Sequence, residues 1–229
     1  MVEEKVFGIM LDTETANTIV EDDGKLNMLS VLPYDFGFAV IDNKGGLYEK
    51  HSYINSDIFY KEPELMEGAY FAHYIPEYKE DLANGKRILK NTYEIRNIFW
   101  QLCRKYDCRF VMAHNARFDY RACNNIQRWT TKSRYRYFFP YGIEIWDTLQ
   151  MARDVLRNDE NYINFCFENG FVTKHTHPQP QFTAEVIYRF ITNDLDFVEE
   201  HKGLEDVEIE LEIFKYLIAQ DKPMRKKLW

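Results

Sequence analysis

Residues 6–14 read VFGIMLDTE, a short apolar run that ends in charged side chains. Such a run is typical of a buried central strand, which we predict over residues 5–12. Because alternate side chains of a strand lie on the same face, Asp12 and Glu14 are expected to project together at its end. Two neighbouring carboxylates stay ionised most readily when cations lie between them, and their oxygen ligands suit Mg²⁺ or Mn²⁺. Two solvated residues in a turn would explain the same pattern, so the chain must supply further ligands.

The composition is that of an ordinary globular chain. Its 229 residues are 45% hydrophobic and 29% charged, which allows one domain with a full core or two small ones. The longest apolar runs have about six residues, far fewer than the roughly 20 that cross a bilayer, and no apolar signal region follows the acidic N-terminus. We therefore expect a cytoplasmic protein without membrane contact. Its four cysteines lack metal-site spacing and are expected to be reduced thiols.

The net charge is −8. This charge argues against a protein that grips a long duplex through its phosphates, since such proteins usually have a basic surface. It does not exclude a nuclease, because a carboxylate-rich metal site is itself acidic and its bound cations supply local positive charge.

Turn signals and apolar periodicity predict the remaining elements. Residues 34–41 and 47–54 are predicted strands, and the DNKGG sequence between them indicates an antiparallel hairpin. Residues 15–32, with a polar EDDGK centre, connect the first strand to this hairpin. Later strands are predicted over residues 109–113 and 143–147. Helices are predicted over residues 57–70 and 76–84, less regularly, and over 91–106, 114–126, 147–157, 160–170, 183–192 and 203–219.

This order of elements indicates the fold class. Strands first, and then strands that alternate with helices, indicate a single α/β domain on a mixed sheet over residues 1–222. Asn91 or Thr92 is expected to cap one mid-chain helix, and Asn115 another. The basic tail, residues 223–229, is expected to be mobile.

Two further segments contain candidate metal ligands. Asp119, in HNARFD, follows a buried strand and lies in the first turns of a helix, where α/β sheets place ligand groups. An acidic residue that favours the positive end of the helix dipole would explain the same position.

Asp206 and His201, in HKGLED, belong to an acidic segment near the end of the chain. A carboxylate on an apolar side of a helix is partly buried and needs a partner or a cation. His201 is either structural or, beside metal carboxylates, a general base near neutral pH. On a helical wheel, Asp206 lies on the same side as three apolar residues: Ile209, Ile213 and Leu217.

The three segments D-x-E, N-x-x-F-D and H-x-x-x-x-D, in this order, resemble the motifs of the DEDD exonuclease superfamily. The subtype resembles DEDDh, which includes the DnaQ-like proofreading exonucleases and RNase T. The resemblance spans residues 12–206 and implies an RNase H-like fold, a five-stranded mixed sheet with an antiparallel N-terminal meander, flanked by helices. Gly203 and Val207 stand where the family often has Ala, and residues 55–90 look like a helical insertion that compact members lack.

The resemblance also implies a site. Two divalent cations, Mg²⁺ or Mn²⁺, would clamp the attacking and leaving oxygens of an in-line displacement. His201 would take the proton of the attacking water, and the product would be a 5′-mononucleotide cut from a 3′ end. The implied metal ligands are Asp12, Glu14, Asp119 and Asp206. The positions that match the family's substrate-contacting or site-shaping residues are Thr15, Ala16, Asn115 and Phe118.

Residues 128–139, RWTTKSRYRYFF, contain basic and aromatic residues and no acidic residue. Such a stretch can hold a nucleic-acid strand through phosphate contacts and base stacking, although a basic surface loop over core aromatics would have the same sequence. The candidate substrate-binding residues of this stretch are Arg128, Lys132, Arg134 and Arg136.

The sequence therefore indicates a stand-alone, Mg²⁺- or Mn²⁺-dependent 3′–5′ exonuclease that acts on single-stranded nucleic acid. Two alternatives stay open. One is a nuclease or nucleic-acid-binding subunit of a polymerase or repair complex. The other is a metal phosphohydrolase that is specific for short oligonucleotides. DNA and RNA are not distinguished, since the contacts that sense a 2′-hydroxyl cannot be located from the sequence.

Overall fold

The computed structural model describes residues 4–16, 27 and 30–229. Within these residues the chain forms one mixed sheet of six strands. The strands are β1 (Phe7–Ala16), β2 (Leu32–Asp42), β3 (Leu47–Asn55), β4 (Ile88–Lys90), β5 (Phe110–Ala113) and β6 (Glu144–Asp147). Their order in the sheet is β4-β3-β2-β1-β5-β6, with β1 antiparallel to β2 and parallel to β5. The predicted α/β class and antiparallel meander are confirmed. The predicted number of five strands is wrong, because β4 adds an edge strand beside β3.

Helices lie on both faces of this sheet. They are α1 (Ser56–Phe59), α2 (Pro63–Glu67), a 3-10 helix (Ala72–Tyr74), α3 (Ile75–Ala83), α4 (Thr92–Tyr106), α5 (Arg117–Thr131), α6 (Thr148–Leu156), α7 (Glu160–Glu168), α8 (Ala184–Thr192) and α9 (Gly203–Ala219). Helix α4 begins as predicted, because the Asn91 side chain accepts from Glu94 N while the Glu94 carboxylate accepts from Asn91 N. The predicted cap of α5 is wrong. Asn115 adopts a left-handed conformation (φ 65°), and Ala116 occupies the N-cap position without a side-chain hydrogen bond.

Strand β1 is longer than predicted, and the D-x-E sequence lies inside it. The antiparallel ladder with β2 continues past Asp12, which is opposite Gly37, to Glu14, which is opposite Asp35. The predicted connection over residues 15–32 is therefore shorter, since the strand ends at Ala16. The EDDGK centre of that connection lies outside the described residues.

The two faces of β1 belong to different cores. Ile9 and Leu11 pack in the core that includes α4 and α5, whereas Met10 packs in the core that includes α6, α7, α8 and α9. Because side chains alternate along a strand, Asp12 and Glu14 continue the face of Met10. The sheet thus directs both carboxylates towards α9.

Helix α9 begins directly on the backbone of β2. A Cβ atom on Gly37 would lie 1.9 Å from the carbonyl carbon of Gly203, so neither position has room for a side chain. A Cβ on Gly203 would also lie 3.2 Å from the backbone oxygen of Asp12. The departure from the family's usual Ala at Gly203 therefore has a physical reason: the glycine pair lets the start of α9 approach Asp12.

The C-terminal tail pairs with β6, although its sequence suggested mobility. Asp147 N donates to Lys226 O (2.9 Å), and Leu228 N donates to Ile145 O (2.8 Å). Among the described residues, no helix combines the length and apolar character needed to cross a bilayer. The four cysteines carry free thiols.

Candidate active site

Three predicted site residues meet at the end of β1. Potential ligand atoms of Glu14, His201 and Asp206 all lie within 4.8 Å of one another. They line a cavity of about 500 Å³ together with Asp12 and Glu210. Strand β1, the turn before α9 and the first turns of α9 thus contribute to one site.

Asp119 approaches this site from the other face of the sheet. It lies in the first turn of α5, and Thr13 Oγ1 donates to Asp119 Oδ1 (2.8 Å). Both side chains are buried. The charge of Asp119 is close enough to raise the pKa of Asp12. Asp119 does not line the cavity itself. We call it and the four acidic residues that do the carboxylate cluster: Asp12, Glu14, Asp119, Asp206 and Glu210.

The carboxylate cluster has oxygens without a protein partner. Asp12 Oδ2, Asp206 Oδ1 and Glu210 Oε2 are buried and accept no hydrogen bond. Buried polar atoms are nearly always hydrogen-bonded, and unpaired buried carboxylates are costly. In the part of the chain that the structure describes, no lysine or arginine forms an ion pair with the cluster. Carboxylate oxygens with one imidazole are a donor set that suits Mg²⁺ or Mn²⁺, so the residues present fit divalent cations.

Burial and neighbouring carboxylates also raise the pKa values of the cluster. Burial, followed by the charge of Asp35, raises the pKa of Glu14 to about 8. Burial, followed by the charge of Glu199, raises the pKa of Asp206 to about 9. Burial also raises the pKa of Asp119 to about 7. Near neutral pH these groups hold protons unless a cation stabilises their charged forms.

His201 is held against an aromatic ring. Its imidazole stacks on Phe71, with ring centroids 4.1 Å apart and planes 18° apart. Its backbone is left-handed (φ 53°), which turns the chain just before α9. Burial lowers the pKa of His201, which favours the neutral form of the ring.

A buried ion network holds the start of α9. Arg87 Nη1 donates to Asp35 Oδ2 (3.1 Å), and Arg87 Nη2 donates to Glu205 Oε1 (2.9 Å). Asp35 also accepts from Gly203 N (3.2 Å) and from Tyr78. We call these residues the Arg87 network. Residues 55–90 therefore supply Phe71, Tyr78 and Arg87, which support the site.

Comparison with protein-family models and with curated protein sequences finds no match for this sequence. Comparison with solved structures finds nucleases. Exonuclease I of E. coli in complex with a dT13 oligonucleotide is 16% identical, with a TM-score of 0.55, over 94% of this chain and 42% of that one. A zinc-bound complex of E. coli ExoI with ssDNA is 15% identical, with a TM-score of 0.57, over 94% and 41%. A full-length 3′-exonuclease is 11% identical, with a TM-score of 0.60, over 97% and 64%.

The chain has the RNase H-like fold of these exonucleases. The resemblance inferred from three short motifs is thereby confirmed at the level of the fold. The chain spans less than half the length of E. coli Exonuclease I.

Glu210 and Arg153 are cavity residues that the sequence analysis missed. Glu210 follows Asp206 by four residues, a helical spacing that could have indicated it. Its Oε1 accepts from His114 N (2.9 Å), while its Oε2 is unpartnered. Arg153 on α6 is exposed and lines the same cavity. Its position gave no sequence signal, because an arginine on a helix surface is unremarkable.

The predicted substrate-binding residues lie in several environments. Asn115 is exposed and lines the cavity, and its N–H donates to Asp147 Oδ1 (3.0 Å). Phe118 is half-buried at the start of α5, and Thr15 and Ala16 are buried at the end of β1. Their contacts with a nucleotide stay predictions.

The four basic residues of the 128–139 stretch lie away from the cavity lining. Arg128 and Lys132 are at the end of α5, over the rings of Tyr137 and Trp129. Arg134 and Arg136 lie in the following loop, and Arg136 lines a second cavity. Their role in substrate binding also stays a prediction.

Proposed function

We propose that this protein is a divalent-cation-dependent 3′–5′ exonuclease that releases 5′-mononucleotides from single-stranded nucleic acid. One observation carries the proposal. Glu14, His201 and Asp206 lie within 4.8 Å of one another, beside buried carboxylate oxygens that have no protein partner, in a fold shared with exonucleases.

The carboxylate cluster is the proposed metal site. Asp12, Glu14, Asp119 and Asp206 would hold two ions, Mg²⁺ or Mn²⁺, as the motif resemblance implies. When bound, the ions neutralise the carboxylates and stabilise the negative charge that develops on the phosphate. Glu210 also lines this cavity, and its buried Oε2 has no hydrogen-bond partner, so it adds a fifth carboxyl group.

His201 is the proposed general base. Its neutral imidazole accepts a proton from the attacking water as the water oxygen bonds to phosphorus and the bond to the 3′-oxygen of the preceding nucleotide breaks. The stacked ring of Phe71 restricts rotation of the imidazole, which lines the cavity.

The cavity also offers groups for the substrate. Arg153 supplies a positive charge for a phosphate, and Asn115 supplies an amide that can donate or accept. A single strand is the proposed substrate because only a free 3′ end can reach a compact cavity of about 500 Å³. Two neighbours of the same fold are complexes with single-stranded DNA, which supports this choice.

The test is a gel assay with 3′-labelled and 5′-labelled single strands, DNA and RNA in parallel, with Mg²⁺, Mn²⁺ or EDTA. We expect stepwise shortening from the 3′ end that is lost with EDTA, with Asp12→Ala and with His201→Ala. The polymer that is degraded identifies the substrate. Intact strands under every metal, or shortening from the 5′ end, would overturn the proposal.

A second candidate is a phosphohydrolase of short oligonucleotides. The net charge of −8 favours it, because long strands are repelled more than short ones. A series of substrates of decreasing length distinguishes the two candidates. Activity that persists down to a few nucleotides favours the phosphohydrolase of short oligonucleotides, and activity that falls favours the exonuclease. A role as a subunit of a polymerase or repair complex stays a prediction.

A further inference from the structure

A second cavity, of about 670 Å³, lies between α4, α5 and the loop that follows α5. Its lining is aromatic and basic, in contrast to that of the carboxylate cluster. We call it the aromatic cavity and use six of its lining residues: Arg96, Trp100, Tyr120, Arg136, Tyr141 and Trp229.

The aromatic cavity has positive charge without an acidic partner. Its lining contains two arginines and no acidic residue. The Arg96 guanidinium lies over the Trp100 ring (4.1 Å to the centroid), and its Nε donates to Tyr137 O (3.0 Å). In the described residues neither Arg96 nor Arg136 pairs with a carboxylate. Burial, followed by the like charge of Arg136, lowers the pKa of Arg96. In a chain of net charge −8, the two arginines therefore give the aromatic cavity a local positive charge that suits an anion.

The same cavity exposes flat rings. Tyr141 is fully exposed, and Tyr135 and Trp229 are 76% and 66% exposed. The Tyr120 ring meets Trp229 edge-on, with centroids 5.0 Å apart. Exposed rings beside unpaired arginines match the two chemical features of a nucleotide, a stacking base and an anionic phosphate.

The cavity shares helix α5 with the proposed active site. Asp119 faces Thr13 of β1, and the next residue, Tyr120, faces the aromatic cavity. The two sites therefore lie on different sides of one rigid element. The chain at the cavity alternates between arginine and tyrosine over residues 134–137, RYRY, as phosphate and base alternate along a strand.

We propose that the aromatic cavity binds a nucleotide unit of single-stranded nucleic acid, with its base on the rings and its phosphate on Arg96 and Arg136. The strand is the exonuclease's own substrate, bound upstream of its 3′ end. This identification of the strand rests on the proposed function, whereas the binding itself does not. The alternation of charge and ring favours a strand over an acidic peptide, because a strand alternates phosphates with flat bases that stack on the rings.

The test measures the binding of the full chain to a fluorescent oligothymidylate of about 20 nucleotides by anisotropy, in EDTA so that no hydrolysis occurs. The double variant Arg136→Ala/Tyr141→Ala removes one exposed charge and one exposed ring. We expect roughly tenfold weaker binding and a smaller dependence on salt. The control Arg157→Ala/Tyr60→Ala removes an exposed arginine and an exposed tyrosine elsewhere, and is expected to bind as the wild type does.

An activity measurement with a cation then separates this inference from the proposed function. The variant is expected to degrade a trinucleotide normally and the long strand more slowly. Unchanged binding of the long strand overturns the aromatic-cavity proposal. Weakened binding without hydrolysis by the wild type supports the cavity and overturns the exonuclease. If a labelled acidic peptide loses affinity for the variant while the oligonucleotide does not, the cavity is a protein-docking site and the proposal is wrong.

Discussion

Two groups of acidic residues, most of them buried, meet at the start of α9, and they differ in their counter-charge. In the Arg87 network, one guanidinium contacts Asp35, Asp81 and Glu205 at 2.9–3.2 Å. In the carboxylate cluster, the described residues include no such cation. The two groups are close enough for Asp35 to raise the pKa of Glu14.

The difference indicates which group is structural and which is functional. The Arg87 network contains a cation of its own, because the Arg87 guanidinium pairs with Asp35, Asp81 and Glu205, and a buried charge is tolerated better when it is paired. The carboxylate cluster has no such cation among the described residues, which supports the proposal that divalent cations bind there. The proposed metal site thus rests on buried carboxylates without a protein cation rather than on the number of acidic residues.

The largest expected effect comes from removing a carboxylate of the cluster. We expect Asp206→Asn to lower exonuclease activity by roughly 10³-fold, since a metal ligand is lost. Its melting temperature in EDTA at pH 8 should be unchanged or higher, because a neutral amide replaces a buried carboxyl group whose ionisation is costly. Glu208→Gln, on the exposed side of α9, is the matched control and should retain activity. A large loss of stability in Asp206→Asn would mean that the cluster is structural.

The second-largest effect is expected on the stability of the fold, when the Arg87 network loses its cation. Arg87→Met leaves Asp35 buried without its cation, which should cost about 3–5 kcal/mol of unfolding free energy. For a chain of this size, that corresponds to a melting temperature lower by roughly 10 °C. Lys61→Met removes the exposed ion pair between Lys61 and Asp57 and should change the melting temperature by only about 1 °C. Equal effects of the two variants would show that burial does not distinguish the pairs.

The contrast between the carboxylate cluster and the Arg87 network also explains which residues could be predicted from the sequence. Asp12, Glu14, Asp119, His201 and Asp206 were predicted because each lies in a short local motif on a periodic element. The Arg87 network was not, since Arg87 is 52 and 118 residues from Asp35 and Glu205 in the chain. Only the folded sheet, which brings residues 55–90 onto α9, creates those contacts.

Elements without local periodicity were missed for a related reason. Strand β4 has three residues, too few for an alternation pattern, and its pairing with β3 depends on a distant segment. The close approach of Gly37 and Gly203 is likewise a tertiary property. Asn115 looked like a helix cap, but its left-handed backbone places it before the helix.

A pH series should sharpen the comparison further. In the folded chain the pKa values of Glu14, Asp119 and Asp206 are raised to about 8, 7 and 9 from 4.5, 3.8 and 3.8. The folded state thus keeps protons that the unfolded chain loses above about pH 4, so stability falls as pH rises towards 9. In EDTA the melting temperature should fall by roughly 5 °C or more between pH 6 and pH 9.

Divalent cations should reverse that trend. Because they bind the deprotonated carboxylates, Mg²⁺ or Mn²⁺ should raise the melting temperature more at pH 8 than at pH 6. In the double variant Glu14→Gln/Asp206→Asn, both the pH slope and the cation effect should be smaller. A wild-type slope equal to that of the double variant would assign the pH dependence to other groups.

The smallest expected effect concerns the support of His201 by residues 55–90. Phe71→Ala removes the stacked ring, so the imidazole gains rotational freedom and water access. We expect kcat to fall by roughly tenfold with little change in KM, because a positioning residue acts on the step that His201 performs. Since burial lowers the pKa of His201, its exposure should also move the acidic limb of the pH–rate profile to higher pH. Phe71→Tyr keeps the stacked ring and should retain both the wild-type kcat and the wild-type position of the acidic limb. A loss of kcat without a displaced limb, or without rescue by Phe71→Tyr, would show that Phe71 only supports the local fold.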